Sequence, residues 1–168
     1  MTTSPAAVRT TVGDHMARKP IVIRADASLT EAAALMDHHH VHGLPVVDAS
    51  GALVGVLSQT DLARARATEH LWSNWPGLAV RHLMTSPAIT IYASSGLEMA
   101  ARKMERNRIH RLVVVDDADQ SIPIGVLSTT DLIHAIAEEL AAVLPSDVAR
   151  AAAHDQAAAQ GSEVGPDV

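Results

Sequence analysis

The sequence predicts an α+β fold built from two β-α-β-β-α repeats, and three observations carry that expectation. The stretch GVLSQTDL, Gly55 to Leu62, returns as GVLSTTDL, Gly125 to Leu132. The segment VGDHM followed by ARKPIVI matches VRHLM followed by TSPAITI from Val80. A constant offset of 68 pairs Met16 with Met84, Leu29 with Leu97, Met36 with Met104, His42 with His110 and Asp48 with Asp116. The offset is 70 between Asp61 and Asp131, which puts two extra residues in the turn Asp117 to Pro123, where insertion costs little.

Residues 1–11, rich in Thr, Ser and Ala with Pro5, read as a disordered leader. The first repeat occupies 12–66 and the second 80–137. In each, a β-rich run after a proline (Ile21-Val22-Ile23; Ile89-Thr90-Ile91) forms the first strand. A helix follows, opened by the capping boxes Ser28-x-x-Glu31 and Ser95-x-x-Glu98, with Leu29, Ala32, Ala33, Met36 and Leu97, Ala100, Ala101, Met104 at helical spacing. Leu44 to Val47 and Leu112 to Val115 are fully apolar and predict central strands. The turn residues Asp48 to Gly51 then fold the first of these back into a hairpin. Residues 67–79 form a structured connector whose Trp72 and Trp75 pack the back of a repeat. The stretch 138–168 carries a helix that continues from Leu132 to Leu144, an Ala-rich helical stretch from Asp147 to about Ala159, and a disordered tail.

Composition excludes several functions. With no cysteine among the 168 residues there is no disulfide, thiolate nucleophile or Cys-type zinc site. A formal charge of −6 argues against nucleic-acid binding, since the one basic cluster, Arg102 to Arg111, is short and interrupted. No transmembrane run and no apolar core of signal-peptide length is present, so no membrane association and a cytoplasmic location are expected. With no Phe, one Tyr and two Trp, a bound purine must lie between aliphatic side chains and backbone, Tyr92 being the one candidate for stacking.

The duplicated stretch hands a strand over to a helix N-terminus, whose unpartnered amides favour anions and hydroxyl-rich ligands. A plainer reading stands beside this one. Ser58-x-x-Asp61 and Ser128-x-x-Asp131 also fit capping boxes, in which serine and carboxylate serve only the helix.

Taken jointly and in duplicate, VGDHM/VRHLM, VHGLPVVD/IHRLVVVD and GVLSQTDL/GVLSTTDL resemble the cystathionine-β-synthase-type (CBS) domains, arranged as a tandem pair or Bateman module over about Val12 to Ala137. The resemblance implies two repeats packed as a pseudo-twofold CBS pair with two clefts between them, and pairs that assemble as disc-like homodimers. It implies an adenosyl ligand such as AMP, ATP, S-adenosylmethionine or NAD, bound for regulation, with no cofactor required. A ribose offers two vicinal hydroxyl donors, and Asp61 and Asp131 each offer two acceptor oxygens. Ser58, Thr60, Ser128 and Thr130 are placed to meet ribose or phosphate. Val41-His42 and Ile109-His110 resemble the family's base and phosphate contacts, Ser86 a position against the base, and Arg111 the phosphate-binding arginine. Arg111 has a second reading, as the partner of Asp116 or Asp117. Gly43 stands where the second repeat has Arg111, so the clefts are expected to be asymmetric, and Val113 replaces the expected proline.

His38-His39-His40 and His42 raise a metal site, with His38 and His42 sharing one ion if the helix extends that far. Three functions therefore stand at this point. They are a non-catalytic nucleotide sensor acting on an unknown effector protein, a ligand-free oligomeric scaffold using the disc surface and the C-terminal helix, and a histidine-based metal or pH sensor. An enzyme has least support, because no nucleophile with a base, Walker loop or metal triad is present.

Overall fold

The computed structural model describes residues 10–67 and 77–143. The expectations for most of the leader, for Trp72 and Trp75 in the connector, and for the chain beyond 143 lie outside the described residues.

The first half contains α1 (Val12–His15), β1 (Ala17–Arg18), β2 (Ile23–Arg24), α2 (Leu29–His38), β3 (Gly43–Val47), β4 (Leu53–Ser58) and α3 (Gln59–Ala67). The second runs through a 3-10 turn (Val80–His82), β5 (Thr90–Tyr92), α4 (Leu97–Asn107), β6 (Arg111–Val115), β7 (Pro123–Ser128) and α5 (Thr129–Val143). The strands make two sheets, ordered β2-β3-β4 and β1-β7-β6-β5. In each, the short strand before the helix pairs parallel with the central strand, and the central strand pairs antiparallel with the next. The register is the same in both halves: Gly43 faces Ser58 as Arg111 faces Ser128, and the ladders slip at Val46/Val47 and at Val114/Val115.

The central strands are buried as their apolar runs require. Leu44, Val46 and Leu57 pack with Ile23, Ala32 and Met36, and Leu112, Val114 and Leu127 with Ile91, Ala100 and Met104. The apolar stripes of α2 and α4 are narrower than expected, because Ala33 and Ala101 are exposed. Ser28 caps α2, its hydroxyl accepting from the Glu31 amide at 3.1 Å. The expected Ser95 cap is absent: α4 starts one residue later, with Gly96 at the cap and no side-chain bond.

Each half completes its core with the other's lead-in segment. Val12 and Met16 are buried among second-half residues, and Val80 among first-half residues. The exchange is reciprocal in detail. Val12 and Gly13 donate to the Ser95 and Ala93 carbonyls at 2.8 Å, and Val80 and Arg81 donate to the Ala27 and Ala25 carbonyls at 2.9 Å. Strand β1 pairs with β7, and Thr85 with Val56. Two glycines of the repeated motif make room for these crossings. A Cβ on Gly55 would lie 2.7 Å from the Thr85 oxygen, and one on Gly125 would lie 3.0 Å from the Ala17 oxygen and 2.5 Å from the Met16 sulfur. The same contacts made twice, each in the other's place, give the arrangement its pseudo-twofold character.

Candidate functional site

The halves enclose two clefts built from equivalent positions. The first, of about 460 Å³, is lined by Ser58, Thr60 and Asp61 from the β4–α3 junction of one half and by Arg108 to Arg111 from the other. The second, of about 380 Å³, sets Ser128 and Asp131 against His40 to Gly43. Each is therefore a junction between a helix start in one repeat and the chain leaving α2 or α4 in its partner repeat.

Both helix starts carry complete capping boxes. The Ser58 amide and hydroxyl donate to Asp61 Oδ2 at 2.9 and 2.5 Å, and the Asp61 amide donates back to Ser58 Oγ at 3.2 Å. For Ser128 and Asp131 the same distances are 2.7, 2.7 and 3.3 Å. The capping and ligand readings are thus not exclusive. The cap occupies Oδ2 in each carboxylate, and no hydrogen bond from a described residue reaches Oδ1. Both aspartates are half-buried and line a cleft. One oxygen at a helix N-terminus, rather than the expected two, is left wholly for a ligand's hydroxyls.

The opposite wall is set by the ends of α2 and α4. His40 and Arg108 adopt left-handed backbone with φ of 53°, and Val41 and Ile109 then donate to the Met36 and Met104 carbonyls at 3.0 Å. That turn stops the helix and directs Val41-His42 and Ile109-His110 along the cleft walls. His42 and His110 also tie down the helix start of their own repeat, their carbonyls accepting from the Gln59 and Thr129 amides at 3.0 Å. Apolar surface comes from Val56, Ile89 and Ile109 in the first cleft and from Val126, Ile21 and Val41 in the second. A planar base would meet aliphatic side chains there. Tyr92 lies on β5 and lines neither cleft.

Three residues lie elsewhere than the sequence suggests. The exposed Ser86 donates its hydroxyl to the Val54 carbonyl at 2.8 Å, and Thr85 lines the first cleft instead. Thr130 is exposed and absent from the second cleft's lining, although Thr60 lines the first. His38 ends α2, so the helical spacing that would have brought it to His42 is broken, and no group of three metal-ligating side chains occurs among the described residues.

Arg111 pairs with neither suggested acid. Asp116 Oδ1 accepts from the Ala118 and Asp119 amides at 2.8 and 3.2 Å, and the Asp117 carboxylate takes the Ser94 hydroxyl. Arg111 is exposed and lines both clefts, as do His42 and Gly43. Sequence reasoning assigned it to one cleft only, and it overlooked Arg108, Arg18 and Lys19. The Arg18 guanidinium donates to the Gly13 carbonyl at 2.7 Å, and Lys19 has a φ of 55°. The offset of 68 that equates Arg108 with His40 was the available signal for Arg108.

A family model described as CBS domain matches residues 12–68 and 80–138. The chain is 37% identical over 122 residues to a homoserine O-acetyltransferase of Methanocorpusculum labreanum, covering 73% of this chain and 23% of that protein. It is 29% identical over 123 residues to an L-aspartate semialdehyde sulfurtransferase of Methanocaldococcus jannaschii, covering 73% of this chain and 22% of that protein. The chain thus spans less than a quarter of these curated relatives. Among solved structures, it resembles the CBS domain pair of protein MJ0100 in complex with 5′-methylthioadenosine and S-adenosyl-L-methionine, with TM-score 0.69, 28% identity and coverage of 77% of this chain and 98% of that one. It also resembles CBSX2 in complex with AMP, with TM-score 0.67, 34% identity and coverage of 76% and 96%. CBSX2 is a protein of Arabidopsis thaliana.

Proposed function

The chain belongs to the CBS-domain family, and from that premise we propose that it is a non-catalytic regulatory module that binds an adenosyl ligand in its two clefts. One observation carries the reading: each cleft presents a capped aspartate at a helix N-terminus whose Oδ1 takes no hydrogen bond from the described residues, with aliphatic side chains and a cation lining the same cleft. Asp61 and Asp131 take the ribose hydroxyls, the paired Ile89/Ile109 and Ile21/Val41 hold the adenine, and Arg111 meets phosphate. The MJ0100 domain pair in complex with S-adenosyl-L-methionine and CBSX2 in complex with AMP support this ligand class. The acetyltransferase and the sulfurtransferase are more than four times as long as the segment they share with this chain, so most of each enzyme has no counterpart in it. The output passes to an effector protein in the cytoplasm, with no cofactor required. No helix among the described residues is long and apolar enough to cross a membrane.

The test is a thermal-shift panel of AMP, ATP, NAD, S-adenosylmethionine and methylthioadenosine. A ligand at a hundred times its dissociation constant raises stability by about 2.7 kcal/mol. The shift is expected to persist in part in Asp61→Asn or Asp131→Asn and to vanish in the double variant, with folding checked by circular dichroism. A panel in which no member shifts melting would remove the reading.

A second reading, assembly, is favoured by Ile133, Ile136 and Leu140, which are 64%, 55% and 58% exposed at helical spacing on α5. Here α5 packs on a second copy to give a homodimer. Ile136→Glu then lowers the mass seen by sedimentation, and an unchanged mass rejects this interface.

A further inference from the structure

Resting on the reading of both clefts as adenosyl sites, we propose that Arg111 is a single cation shared between them, so that phosphorylated ligands compete for it while uncharged ones do not. Arg111 begins β6 opposite Ser128, beside the cap of the second cleft, while its chain neighbours Ile109 and His110 line the first. It stands at the seam and lines both clefts. The position related to it by the offset of 68 is Gly43, which begins β3 opposite Ser58 and also lines both clefts. Where symmetry would place two guanidinium groups at the seam, there is one. Arg111 is exposed, and no described residue holds it by a hydrogen bond or ion pair, so its fork can turn to either side.

The remaining cations are divided between the clefts. Arg64 and Arg108 line only the first, Arg18 and Lys19 only the second. Arg64 already has an interaction of its own, and the Arg18 guanidinium is held by the Gly13 carbonyl. A bidentate guanidinium–phosphate contact is among the stronger polar interactions, and the second phosphate to arrive finds it taken. Bridging both would set two anions beside each other on one positive charge. A nucleoside without phosphate makes no claim on Arg111, and its two sites fill independently.

Calorimetric titration of the full chain with AMP and with methylthioadenosine tests this. AMP is expected to bind two sites whose dissociation constants differ on the order of ten- to a hundred-fold, the worth of a charge-assisted contact. Methylthioadenosine is expected to fill both with similar affinity. Gly43→Arg supplies the missing cation and brings the two AMP sites together. A Cβ there would lie 3.3 Å from the Leu57 oxygen, a tight contact to which β4 must yield by a few tenths of an ångström, while Arg111 holds the equivalent place in the second repeat. Should it fail to fold, Arg111→Gln equalises the two AMP sites at the weaker value. Equal AMP sites in the wild type, the same disparity with methylthioadenosine, or a disparity that survives Arg111→Gln overturns the proposal and leaves the binding reading intact. Failure of both compounds to bind removes that reading and this one with it.

Discussion

Leu57 on β4 and Leu127 on β7 are both 0% exposed, and each shares a core cluster with a methionine from its repeat's first long helix, Met36 or Met104. A few ångströms away, at the seam, the halves part company: Gly43 occupies the place that Arg111 holds in the other repeat. The same contrast appears on the exposed surface, where the Arg24–Asp26 ion pair of 2.8 Å has Tyr92 and Ser94 as its counterparts. Interiors must fill the same space in both repeats, so they stay alike. Cleft walls and rims meet solvent or ligand, and there the copies are free to differ.

Truncating the matched cores tests the likeness with the largest effect. Leu57→Ala and Leu127→Ala should each cost about 2–5 kcal/mol by urea unfolding, and by similar amounts, since both sites are fully enclosed. A several-fold difference would mean that one half is packed less tightly than the other.

The crossing points sharpen the comparison. Gly55→Ala drives a Cβ to 2.7 Å from the Thr85 oxygen and 2.9 Å from the Met84 sulfur, whereas at Gly125 the nearest atom is the Met16 sulfur at 2.5 Å and the Ala17 oxygen lies at 3.0 Å. A thioether can swing aside and a ladder carbonyl cannot. Both substitutions should destabilise by about 1–3 kcal/mol, Gly55→Ala by the larger amount. Melting temperatures in the reverse order would contradict this account of the exchange.

The smallest effect is in acid. The hydrogen bond from Arg24 holds the Asp26 carboxyl down to about 2, below its ordinary 3.8. A lowered folded-state value means that the pair's contribution is present above pH 3.8 and is lost as pH falls through about 2. Ser94 titrates nothing at the equivalent place. Amides of the first half should therefore lose protection over that window sooner than those of the second, and Asp26→Asn should narrow the difference. The pair is exposed, so the change is slight.

The repeat, the hairpins and the capping boxes at Ser58 and Ser128 were legible because each is a local pattern of spacing and residue type. The exchange of lead-in segments was not. VGDHM is apolar at Val12 and Met16 whichever core receives them, and no local periodicity says which. The placement of Ser86 failed for a similar reason, since a hydroxyl takes the nearest open carbonyl, here that of Val54. Ser95 lost the cap to Gly96 because the chain enters α4 one residue later than the motif suggests. That Arg111 lines both clefts is not legible, because a sequence shows a residue's neighbours along the chain and not the seam on which it stands.

The most direct measurement is a crystal structure of the full chain grown with AMP. The account predicts a ribose whose hydroxyls lie within hydrogen-bond reach of the Oδ1 atom of Asp61 or Asp131, with the serine cap on Oδ2 undisturbed. AMP bound away from both clefts, or in a cleft with its sugar turned from the aspartate, would contradict it.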